Sequence, residues 1–159
     1  MRNIVNRRRV WWGSVFALAL VTLVFTGCTV KFVSDYDDIT DRAVTDLQLR
    51  TQTFLLKAEE TAGTPAGEYA SNTDFYNDAR AAIQSIRLRA QAIPKNSITV
   101  AQLDSLDANF GRIRELHRGA GPKGLTPAIL DPIIGPLNTQ FKAIIKWELA
   151  KKRGLDPSK

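Results

Sequence analysis

The chain has 159 residues, with 22 Lys plus Arg against 16 Asp plus Glu, one His, one Cys and one Met. A single His and a single Cys supply neither a zinc ligand set nor a disulfide framework nor a Cys-x-x-Cys pair, so no metal and no cofactor is expected. The formal charge of +6 looks like a nucleic-acid footprint, yet Arg2, Arg7, Arg8 and Arg9 all precede the first apolar run; without residues 1–27 the balance is 18 basic against 16 acidic, an ordinary surface for which no nucleic-acid partner is expected.

The chain opens on that basic stretch and continues from Val10 to Thr26 without a charge. A basic n-region followed by an apolar h-region is the layout of a signal peptide, with the arginines held on the cytoplasmic side, so export of the rest of the chain is expected. The apolar run ends at Phe25-Thr26-Gly27-Cys28. These four residues resemble the lipobox of bacterial lipoproteins, with Phe25 standing where Leu is usual. In that family the Cys thiol receives a diacylglycerol, the leader is cut just before it, and the new amine is acylated.

The resemblance covers the first 28 residues. It implies a cleaved signal peptide over 1–27, lipid attachment at Cys28, and a membrane partner reached through the lipid anchor. Because Thr29 rather than Asp follows the Cys, it also implies the outer membrane, with the domain facing the periplasm. The alternative is an uncleaved inner-membrane signal anchor with a periplasmic domain, since residues 10–27 would make a helix of about 27 Å. A lone Cys just past the apolar run serves no disulfide, which favours lipidation.

Residues 28–34 read as a lipidated tether reaching roughly 20 Å when extended, and 35–153 as one helical domain. Four segments carry apolar residues at helical spacing and none alternates as a strand would. The first, Asp35 to Thr61, places Tyr36, Ile39, Ala43, Leu47, Phe54 and Ala58 on one stripe, with Leu55 beside it. The second, Asp74 to Ile93, places Phe75, Ala79, Ala82, Ile83, Ile86, Ala90 and Ile93 there. The third, Thr99 to Arg118, carries Leu103, Leu106, Phe110, Ile113 and Leu116. It opens on a capping box, Thr99-Val-Ala-Gln102, and is stopped by Gly119. The fourth, Thr126 to Arg153, carries Ile133, Ile134, Leu137, Phe141, Ile144, Ile145 and Leu149. Its continuous part is expected to begin at Pro136, because proline inside a helix costs roughly 3 kcal/mol. Short loops between such stripes predict an all-α, up-down-up-down four-helix bundle after the cleaved signal peptide; 154–159 read as a flexible tail.

The residues offer little chemistry. His117 is expected at a helix end, favoured by the dipole, and Trp147 as a partly buried packing residue. No second haem ligand and no paired Glu-x-x-His are present. Asp35, Asp37, Asp38 and Asp41 complement a helix start, and Lys151, Lys152 and Arg153 a helix end. In an antiparallel bundle the two groups share a pole and pair; alternatively, Lys151, Lys152 and Arg153 contact anionic headgroups at the membrane surface. Gly119-Ala-Gly121-Pro-Lys-Gly124 lacks the Gly-Lys-Ser/Thr ending and the preceding strand of a phosphate loop.

Phrases such as Ser34-Asp-Tyr-Asp37 and Leu149-Ala-Lys-Lys-Arg-Gly154 give the body a likeness to small helical envelope lipoproteins, a likeness that brings no activity with it. The expectation is a membrane-anchored, non-enzymatic scaffold or interaction module with an envelope protein as partner, met at the end of the bundle far from the tether. The alternative is a carrier holding a small apolar ligand or lipid in a cavity lined by Phe54, Phe75, Phe110 and Phe141.

Overall fold

Helical spacing becomes helices throughout. In the computed structural model, which describes residues 33–154, the elements are α1 (Asp38–Glu60), α2 (Thr73–Ala92), α3 (Ser97–Ala120) and α4 (Pro127–Gly154). Short 3-10 turns occupy Pro65–Gly67, Tyr69–Asn72 and Gly121–Lys123. The fold is an all-α helical bundle without a strand among the described residues, and none of its helices is long and apolar enough to cross a membrane. The leader, the lipobox with Cys28, most of the tether and the tail after Gly154 lie outside the described residues.

The buried positions follow a repeat of about 3.5 residues, the seam spacing of packed helices. On α1 they are Thr40, Val44, Leu47, Thr51, Phe54 and Ala58, with Leu55 buried beside the row. On α2 the row is Tyr76, Ala79, Ile83, Ile86 and Ala90; on α3 it is Thr99, Leu103, Leu106, Phe110, Ile113 and His117. On α4 it runs through Leu130, Leu137, Phe141, Ile144, Glu148 and Lys151. Around this seam α1 packs on α2 and α4, and α3 packs on the same two helices.

Several expectations shift by one residue, mostly where a polar side chain takes a seam position, while Val44 takes the place expected of Ala43. Ile39 is 48% exposed while Thr40 is buried, its hydroxyl and amide bonded to the capping carboxylate of Asp37 at 2.6 and 3.1 Å. Thr51 is buried with its hydroxyl returned to the carbonyl of Leu47 at 2.7 Å, which removes the cost of an unpaired hydroxyl. Leu116 is half exposed and His117 fully buried. The capping box does not form: α3 begins at Ser97, and Thr99 sits inside it with no exposure. Nor does Gly119 stop the helix; Gly121 does, at φ +58°, a conformation that glycine adopts without strain.

The fourth helix is not broken at Pro136. It runs unbroken from Pro127 through Pro132 and Pro136. Both prolines are exposed, so the carbonyls they leave unbonded are on the side open to water and the disruption is contained. The intrinsic helix penalty of proline relative to alanine remains. Pro136→Ala is therefore expected to stabilise the fold, by up to about 3 kcal/mol, measured by denaturant unfolding; a loss of stability would mean the helix does not continue through this position.

Candidate functional site

Polar side chains enter the seam at both ends of the bundle. At the end where α1 starts, Ser34 is buried; its amide donates to the carbonyl of Lys95 at 3.2 Å and its hydroxyl to Oδ1 of Asn96 at 2.9 Å. The same Oδ1 accepts from Nζ of Lys151 at 2.6 Å. Lys151 also donates to Oγ1 of Thr99 at 2.9 Å and to Oε1 of Glu148 at 2.7 Å, and Thr99 donates to that same carboxylate oxygen at 2.8 Å. The ion pair is enclosed, with the two side chains 1% and 0% exposed.

This overturns one expectation for the basic end of α4. Lys151 is not available to a membrane surface, because it occupies a seam position and spends its three protons on the buried network. Lys152 and Arg153 are exposed, with the ammonium of Lys152 lying 5.4 Å from the centre of the Tyr36 ring. The acidic start of α1 and the basic end of α4 do share a pole, but the side chains of Asp37, Asp38 and Asp41 take other partners. Asp37 takes a two-pronged bond from Arg89 at the end of α2, both contacts 2.6 Å; Asp38 pairs with Arg42, and Asp41 accepts from the Tyr36 hydroxyl at 2.8 Å. That last bond pushes the Tyr36 phenol up to about 12.

At the opposite end, His117 has both ring nitrogens engaged. Nε2 lies 2.9 Å from the carbonyl of Gly67 and Nδ1 2.9 Å from the hydroxyl of Tyr76. A carbonyl can only accept, so Nε2 carries the hydrogen, and in the neutral ring Nδ1 accepts from Tyr76. Burial raises the Tyr76 phenol well above its usual range, which keeps that hydroxyl protonated. The expected attraction to the dipole at the end of α3 is not what holds His117 there; a seam position and two hydrogen bonds do.

Gly67 is a pivot. A Cβ on it would stand 2.2 Å from the carbonyl oxygen of Thr61, and a Cβ on Gly124 would stand 2.3 Å from the carbonyl oxygen of Gly67 itself. With the amide of Gly63 bonded to the carbonyl of Lys123 at 2.9 Å, the two loops of this pole are held in direct backbone contact.

Outside the seam here, Tyr69 accepts from Nε of Arg114 at 2.7 Å and from Nη2 of Arg118 at 3.3 Å. Its ring also packs edge-on against His117, centroids 5.7 Å apart. Nothing in the sequence marked Tyr69, since it falls in a stretch that reads as loop. Between the poles the four phenylalanines form a row: Phe54 stacks on Phe75 at 3.7 Å, Phe75 lies 6.2 Å from Phe110, and Phe110 meets Phe141 edge-on at 6.4 Å. Among the described residues no three His, Cys, Asp or Glu side chains are grouped to hold a metal ion. Comparison of the chain with protein-family models, curated proteins and solved structures finds no match.

Two outcomes are expected. Lys151→Met leaves a buried carboxylate unpaired and costs about 3–5 kcal/mol, whereas adding Glu148→Leu to it restores most of the loss, as read by denaturant unfolding of the single and double variants. The second concerns pH. Arg89 holds the Asp37 carboxyl well below the usual carboxylate range, so this contribution is present above the unfolded value near 4 and is lost as pH falls below it. Asp37→Asn, which keeps a capping side chain, should therefore flatten the fall in melting temperature between about pH 5 and 2.

Proposed function

We propose that the chain is a lipid-anchored lipoprotein of the bacterial envelope whose helical bundle is a non-enzymatic interaction module. Cys28 carries the lipid, and the bundle faces the periplasm from the outer membrane. The observation that carries this reading is Ser34. Only six residues past Cys28 it is already fixed into the bundle, by its amide to Lys95 and its hydroxyl to Asn96. An acylated Cys28 would thus keep the Ser34 pole within about 20 Å of the bilayer. The Gly67–Gly124 pole, at the other end of the helices, is then the one turned toward a neighbouring envelope protein.

Two further features support an interaction module. The chain's one imidazole is fully buried with both nitrogens bonded, and so is not at hand as a general base for a hydroxyl nucleophile. The four phenylalanines pack on one another rather than around a cavity, which favours the scaffold over the carrier of a small apolar ligand.

The test is lipidation. Expressed in a diderm host, the chain is expected to incorporate labelled palmitate and to have a mass corresponding to cleavage before Cys28. Cys28→Ser should remain unlabelled and keep its leader. A wild-type chain with an intact leader and an unmodified thiol overturns the reading.

A further inference from the structure

A cleft of about 370 Å³ opens between α2 and α3 beside the Gly67–Gly124 pole. Its apolar part is aromatic, made by Phe110 and Tyr76, and Gly111 on its wall leaves room, since a Cβ there would meet nothing within 4 Å. Arg80 from α2 and Arg114 and Arg118 from α3 supply positive charge, against Asp107 and Glu115. Glu115 is committed to Arg118 at 2.9 Å. Arg80 and Arg114 have no carboxylate partner among the described residues.

What occupies the guanidinium donors instead is the Tyr69 hydroxyl, on which Arg114 and Arg118 converge. Both guanidiniums also lie against the ring, 5.8 and 5.0 Å from its centre. Two cationic donors aimed at one neutral oxygen mark a place where an anionic oxygen would be held more strongly, because the attraction of opposite charges would be added to the bonds. The same two cations, Arg118 foremost, draw the Tyr69 phenol below its usual range. The arginines are already fixed by Tyr69, so little side-chain freedom is left to lose on binding.

We propose that this cleft docks a carboxylate of a partner polypeptide, an acidic side chain whose apolar neighbour lies along the open wall at Gly111, above the nearly buried Phe110. Three guanidiniums against two carboxylates leave one net positive charge. That matches a planar, singly charged carboxylate, which arginine recognises with its fork, better than a doubly charged phosphate, which Asp107 and Glu115 would repel. The cleft is beside the pole farther from the tether, so the inference deepens the interaction-module reading and rests on it.

The test uses the full chain in detergent micelles, followed through the arginine Nε–H NMR signals. Acetyl-Ala-Glu-Phe-amide is expected to shift the Arg114 signal saturably. The Ala-Gln-Phe counterpart should bind at least tenfold more weakly. The Arg80→Gln/Arg114→Gln variant, read on the Arg118 signal, should lose at least tenfold in affinity while keeping the wild-type melting temperature. The proposal is overturned by no saturable shift with the Glu peptide, by equal binding of the Gln peptide, or by inorganic phosphate binding more tightly at the same signals. The mass of the same preparation reports lipidation at Cys28 separately, so a failure to dock and a failure of the anchor are distinguishable.

Discussion

The fold depends on a seam spacing that tolerates polar residues only where they are bonded. Each helix presents a buried position alternately three and four residues apart, and a side chain at such a position must satisfy its polar atoms inside the protein. In the middle this is met by Leu, Ile and Phe, each contributing about 1.5–3 kcal/mol when fully buried. Towards the ends it is met by networks: Thr99 and Lys151 on Oε1 of Glu148 at one pole, where Oε2 is left buried without a partner, and His117 with Tyr76 and Gly67 at the other. Polar layers of this kind restrict how helices can slide, because a one-position slip would strand a charge or an imidazole without its partner.

The two networks also divide the labour of the poles. At the Ser34 end two helices, α3 and α4, and the incoming chain converge on one asparagine oxygen and one carboxylate oxygen. At the other end, backbone contact between Gly67 and Gly124 brings together the loops that flank α3 and α4 on one side and α1 and α2 on the other. Tyr69 belongs to this second assembly: its ring packs on His117 from outside while its hydroxyl reaches the arginines of α3. The buried imidazole and the exposed guanidiniums are thus two layers of one arrangement.

The helices and most of their core were legible in the sequence, since an apolar residue recurring every three or four positions can be buried in few other ways. Leu47, Ile83, Leu103, Leu106 and Phe141 needed nothing more. Thr99, His117, Glu148 and Lys151 were not legible as core, because their burial depends on partners far along the chain, as with Thr99 and Glu148, 49 residues apart. Lys151 shows the limit most plainly: three consecutive basic residues at a helix end look alike in sequence, and only the angular position of the first turns it inward. Pro136 misled for a related reason, since its cost depends on which side of the helix it faces. The cleft was hidden because Tyr69 sits in a stretch whose composition says only turn.

Ser34 has a mechanical consequence. Tension arriving along the polypeptide from its amino-terminal side does not simply peel α1 from the bundle. It is passed through Asn96 to α3 and Lys151 to α4, while Asp37 hands part of it to α2 through Arg89. A pull is thereby shared by all four rods, and rupture requires several bonds to give way together instead of one after another.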